Sequence, residues 1–239
     1  MRQDGRTTEQ LRPVRIVPGF IGTAPGSALI EWGHTRVICT CTVEEKVPPF
    51  LLGAGQGWVT AEYGMLPGST LSRKRRTGPG NYDGRGSEIG RLIGRSLRAA
   101  VDRSLLGERT LYLDCDVIEA DGGTRTASIT GAYVALRQAV DKLLAKGLLE
   151  QYPILRSVAA VSVGIVGDAL LADLCYGEDS QAQVDMNLVY TGDLSLVEVQ
   201  GTGEGRPFTP AELVALEALG RAGAQQLFAL QQEAIASWR

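Results

Sequence analysis

The chain has 239 residues, 44% hydrophobic and 21% charged, with a net charge of −3 at pH 7. That balance predicts a soluble globular protein with an ample core and argues weakly against nucleic acid, whose partners are often basic. No apolar run approaches the ~20 residues of a membrane span, and the opening residues MRQDGRTTEQ lack the apolar core of a secretory signal.

In chain order, residues 14–17, 28–32, 35–43 and 57–63 read as strands, with Gly and Pro in the turns between them. His34, the one histidine, falls in a turn between two of these strands. A multi-histidine zinc site is therefore excluded, and catalysis must run on carboxylates, arginines, backbone amides or a metal held by oxygen. Residues 68–86, GSTLSRKRRTGPGNYDGRG, are nearly free of apolar side chains and predict a long exposed basic loop. A helix follows at about 87–106, with Ser87 placed to cap it and Ile89, Leu92, Ile93, Leu97 and Leu105 on one face.

Residues 109–120 are a strand and 124–146 a second helix, with Ile129, Tyr133, Leu136, Val140 and Leu143 as its apolar stripe. Residues 157–176 and 182–200 predict three or four strands joined by short turns. The last helix opens at Pro210, with Thr209 and Glu212 as a capping box. Cys39, Cys41, Cys115 and Cys175 form no CxxC pair and read as reduced core thiols of a cytosolic chain. The pattern has no linker or repeat, which predicts one compact α/β domain over residues 1–239.

Two segments could carry chemistry. In VIEADGGTRTASITG, a strand ends and a helix begins across two glycines, so free amides and the helix dipole favour an anion. Gly122 and Gly123 let the backbone approach a ligand closely, Arg125 adds a planar fork that can grip phosphate, and Thr124, Thr126 and Ser128 add hydroxyls. The plain alternative is a tight turn. In CYGEDSQAQVDMNLV, YGEDS reads as a hairpin turn with Asp179 near its end, and Asp185 lies on the next strand. The two acids could hold Mg²⁺ or serve as an acid with an electrostatic helper. Equally, Asp179 could cap its own turn and Asp185 could pair with a nearby arginine. Together with Arg85 and the 73–76 RKRR run, these parts suit phosphoryl chemistry on a polyanion.

Several blocks in register resemble the ribonuclease PH family of phosphate-dependent 3′→5′ exoribonucleases. They are MRQDGRTTEQLRPV, GHTRVICTCTVEE, GWVTAEYGMLPGST, RLIGRSLRAAVD, CDVIEADGGTRTASITGAYVAL, CYGEDSQAQVDMNLV and VEVQGTGEGRPFT. The resemblance implies an α/β fold like that of ribosomal protein S5, in a ring-shaped homohexamer built as a trimer of dimers. It implies phosphate binding by Arg85, Gly123, Thr124 and Arg125. It implies catalysis and Mg²⁺ (or Mn²⁺) binding by Asp179 and Asp185, and RNA contact by Arg73, Arg75 and Arg76. The substrates implied are tRNA precursors and other structured RNA 3′ ends, with inorganic phosphate as co-substrate. The chain departs from the family at Gly68, where an arginine is usual, and at His34, where a small polar residue is expected.

Overall fold

The computed structural model describes residues 2, 4–76 and 83–238. Nine strands form two sheets. The first takes β1 (Val14–Pro18), β2 (Gly26–Trp32), β3 (Thr35–Glu44), β4 (Trp58–Met65) and β5 (Thr110–Glu119) in the order β1-β2-β3-β5-β4. All pairs are antiparallel except β4 with β5. Period-two alternation gives this sheet two unlike faces. Ala28, Ile30, Val37, Cys39, Leu113 and Cys115 point inward and are fully or almost fully buried, whereas Glu62, Asp114 and Asp116 share the outer face. Three of the four cysteines, Cys39, Cys41 and Cys115, are thus small core residues.

The second sheet is antiparallel, β7-β6-β8-β9, from β6 (Val158–Val166), β7 (Ala169–Ala172), β8 (Val184–Thr191) and β9 (Leu196–Thr202). Helix α2 (Thr124–Ala145) is wedged between the sheets, against β2, β3 and β5 on one side and β6 on the other. Every residue from 126 to 136 is consequently buried. The sequence predicts one apolar stripe, but the helix is enclosed all round. Its Ala, Ser, Thr and Gly residues let two sheets approach it where larger side chains could not.

Helix α4 (Pro210–Ser237) covers the opposite face of the second sheet, with Gly220 against Leu188 and Gly223 against Val161, and also reaches β1. Its capping box is formed as expected: Thr209 Oγ1 accepts from the Glu212 amide at 3.2 Å, and Glu212 accepts from the Thr209 amide at 2.7 Å. One buried apolar cluster draws on both sheets and on α1, α2 and α4. Among the described residues no helix is long and apolar enough to cross a membrane.

Helix α1 corrects the sequence reading at both ends. It spans Gly84–Arg98, and its cap is Asp83, whose carboxylate accepts from the Gly86 amide at 2.9 Å, not Ser87. Gly86, which reads as loop, forms a packing stripe with Gly90 and Gly94. A Cβ on Gly90 would sit 2.8 Å from the Ala61 carbonyl oxygen, so the helix lies directly on the β4 backbone. At the other end the chain leaves the helix after Arg98 and makes a separate 3₁₀ turn, Arg103–Leu106, capped by Asp102. The apolar spacing of Val101 and Leu105 fits that turn as well as a helix. The predicted loop therefore ends at residue 83, and its stretch 77–82 lies outside the described residues.

Candidate active site

The site is built where four chain segments end close together. The first is the β5–α2 connection. Gly122 and Gly123 both take left-handed backbone, at φ 74° and 65°. Such a pair lets successive amides face one concavity, and the orphan amides of the helix start continue it. The amides of Gly122, Gly123, Thr124 and Arg125 donate to no group among the described residues. A Cβ on Gly123 would crowd Arg12 Nη2 at 3.2 Å and reach Ser162 Oγ at 3.9 Å.

The second segment is β8. Ser162 on β6 pairs with Asn187, and Gly164 with Asp185, so Asp185 lies on the same sheet face as Ser162, one step further along. The third is YGEDS. It is not a hairpin turn but a single helical turn, α3 (Tyr176–Asp179), because Cys175 and Glu178 cap it: the Glu178 carboxylate accepts from the Cys175 amide at 3.1 Å. Gly122 packs on its entry, since a Cβ there would lie 2.7 Å from the Leu174 carbonyl oxygen and 2.8 Å from the Tyr176 amide. The fourth is the first turn of α1, carrying Arg85. Tyr63 on β4 links it to the cradle. Its hydroxyl shares a 2.8 Å hydrogen bond with Thr124 Oγ1, and its carbonyl lies beside Gly86.

Arg85, Gly123, Thr124, Arg125, Asp179 and Asp185 therefore converge. Both arginines act electrostatically on both acids. The plain alternatives for the acids do not hold. Neither Asp179 nor Asp185 makes a side-chain hydrogen bond or ion pair among the described residues, and neither do Arg85 and Arg125. Arg85 is exposed and the other three are half-buried, so all four are open to an external partner. Burial pushes the Asp179 carboxyl up, against the pull of Arg125 and Arg85. Burial, and then the neighbouring Asp179 charge, raise Asp185 further, to about 6.

No group of three or more His, Cys, Asp or Glu among the described residues forms a metal cage. Two unpartnered carboxylates nevertheless fit Mg²⁺, which binds through one or two carboxylates and completes its shell with water and phosphate oxygens. A groove of about 860 Å³ beside α1 is lined by Glu62, Asp114 and Asp116 on the sheet and by Arg91 and Arg98 on the helix. Burial, with the Glu62 and Asp116 charges, pushes the Asp114 carboxyl up.

Arg73 and Arg75 are exposed on the basic loop, as is Arg76, which has a contact of its own. A side chain at Gly68 would meet open space. His34 is exposed in the β2–β3 turn.

Residues 10–140 match the model of the 3′ exoribonuclease family, domain 1, and residues 157–223 that of domain 2. The chain belongs to the 3′ exoribonuclease family, of the ribonuclease PH type. Its fold is correspondingly the mixed α/β fold of ribonuclease PH domains. The chain is similar to a subunit of an Archaeoglobus fulgidus exosome solved with RNA bound to its active site. The two are 25% identical, with 95% of this chain and 91% of that one covered and a TM-score of 0.81. Rice Rrp46, at 17% identity, shares the fold with a TM-score of 0.80 over 98% of this chain and all of that one. An archaeal exosome core subunit, at 23%, shares it at 0.78 over 97% and 91%.

Sequence reasoning missed Tyr63, Thr35, Arg12 and Asp173, all of which support the cradle. The sequence pattern assigned the N-terminal arginines no role, yet Arg2, Arg6 and Arg12 are buried. The one available signal was Asp173 itself, an acid at the end of the apolar run ALLA.

Proposed function

We propose that the protein is a phosphorolytic 3′→5′ exoribonuclease that trims 3′ extensions of tRNA precursors and other structured RNAs. The observation that carries this reading is a set without partners among the described residues: two arginine forks and a run of amides close to two carboxylates. Arg125, Arg85 and the amides around Gly123 and Thr124 hold inorganic phosphate in line with the last RNA linkage. A phosphate oxygen attacks the terminal phosphorus, a phosphoanhydride bond forms, and the bond to the penultimate 3′ oxygen breaks. Where no metal is held there, a carboxyl of the Asp179–Asp185 pair delivers a proton to that oxygen and recovers one from the attacking hydrogen phosphate. The terminal residue leaves as a nucleoside diphosphate. One phosphodiester is exchanged for one anhydride, so excess diphosphate extends RNA.

Mg²⁺ (or Mn²⁺), held by Asp179 and Asp185, would supply charge compensation for the phosphates. Arg73, Arg75 and Arg76 grip the RNA backbone. The chain acts as one unit, since both halves share a core, and assembles as a cytoplasmic homohexamer, a trimer of dimers. A catalytically silent ring subunit is the rival reading. The retention of Arg85, Arg125, Asp179 and Asp185 favours the enzyme. The test is a 3′-extended tRNA incubated with Mg²⁺, with and without phosphate. Diphosphate products that require phosphate are expected; undiminished trimming to monophosphates without it overturns phosphorolysis.

A further inference from the structure

The cradle amides have no partners in front among the described residues, but their peptide planes are held from behind. In a trans peptide the C=O and the following N–H point in opposite directions, so fixing a carbonyl aims the amide. The Asp121 carbonyl accepts a short hydrogen bond from Arg12 Nη1. The Gly122 carbonyl accepts from Thr35 Oγ1 at 2.7 Å, and Arg12 Nη2 stands 3.5 Å from it. Thr35 Oγ1 also accepts from the Asp121 amide at 2.9 Å. These two side chains therefore direct the Gly122 and Gly123 amides toward the concavity. Two consecutive left-handed residues otherwise have several accessible conformations.

Arg12 is itself immobilised. Its Nε and Nη2 donate to the two oxygens of Asp173 at 3.0 and 2.7 Å, and its backbone amide donates to the same carboxylate at 2.6 Å. Asp173 is 1% exposed, takes left-handed backbone at φ 54°, and also accepts from Trp32 Nε1 at 2.9 Å. Three residues on, the chain enters α3 and then reaches Asp179. One buried arginine thus joins the anion cradle to the segment that carries the acid.

We infer that Arg12 and Thr35 are positioning residues that pre-aim the Gly122 and Gly123 amides at a bound phosphate. This rests on the reading that the cradle takes inorganic phosphate. Arg12→Lys keeps the charge but cannot bond the Asp121 carbonyl, the Gly122 carbonyl and Asp173 together. Thr35→Val removes the hydroxyl at nearly constant volume.

The test is calorimetric titration of the full chain with inorganic phosphate, and separately with single-stranded RNA, well below each melting temperature. Leu216→Ala, a core truncation in α4, controls for general loosening. Expected are a phosphate Kd raised at least ten-fold in Arg12→Lys and Thr35→Val, an RNA Kd within two-fold of wild type, and an unchanged phosphate Kd in Leu216→Ala. Unchanged phosphate affinity in the two variants, or equal weakening in Leu216→Ala, overturns the inference. If Arg12→Lys fails to fold, Thr35→Val decides alone. A wild type that binds phosphate yet releases monophosphates from RNA overturns phosphorolysis and leaves the brace standing. A wild type that binds no phosphate overturns both.

Discussion

Asp185 and Asp173 are both acids at the site, and they titrate in opposite directions. Burial would push Asp173 up, but the Arg12 fork, the Arg12 amide and the Trp32 indole outweigh it and hold its carboxyl below the usual range. Its ionised form stabilises the fold, and that contribution is lost as pH falls through its lowered pKa. Asp185 has no such donors, so its folded pKa of about 6 lies above the ordinary 3.8. Stability from this group is fully present below pH 3.8 and is lost as pH rises through about 6. Asp185→Asn should therefore melt higher than wild type at pH 8, by about 1–2 kcal/mol after allowance for partial solvent screening, and equally at pH 4. Its turnover should fall at least ~100-fold while RNA binding is kept. Thermal melts across pH check the first claim, and an Asn variant no more stable at pH 8 would mean the carboxylate already has a compensating partner.

At the scale of elements, α1 shows how glycine can be read in two ways. Gly86, Gly90 and Gly94 sit four apart on one helical face, and each would bring a Cβ into β4, or into a side chain of α1 or its cap. As isolated letters they lower helix propensity, and Gly86 reads as loop; as a face they allow backbone contact and bring Arg85 to the cradle. Gly90→Ala makes the competition measurable. Alanine gains about 1 kcal/mol in propensity, whereas overpacking against a backbone carbonyl costs about 1–3 kcal/mol. The clash at 2.8 Å is with rigid β4, so the variant should melt lower and lose phosphate affinity as Arg85 shifts. A higher melting temperature would show that α1 can lift off β4 freely.

For the whole molecule, net charge misleads and distribution decides. The chain carries −3 overall, yet its outer sheet face gathers Glu62, Asp114 and Asp116 while the cations of the 73–76 loop stand apart on the surface. RNA affinity should therefore depend on salt despite the acidic balance. Replacing Arg73, Arg75 and Arg76 together with Ala should flatten the log–log salt slope by up to about 2 for a single strand. Sedimentation of wild type and variant alike should give six times the 25.5 kDa chain mass. An unchanged slope in an intact hexamer would remove the loop from the RNA path.

By itself the sequence determined the strands of the first sheet, a run of three or four strands for the second and the bodies of the three long helices, and the family resemblance implied the six residues that converge. Strand alternation, capping residues and side-chain chemistry are local properties, and local properties are written in adjacent letters. Two things belonged to tertiary structure alone: the enclosure of α2 and the brace behind the cradle. Arg12 meets Asp173 and Asp121 across 161 and 109 residues of chain. No local pattern encodes a contact of that separation. It exists because two sheets close on one helix, and buried arginines must find carboxylates and carbonyls wherever the fold brings them.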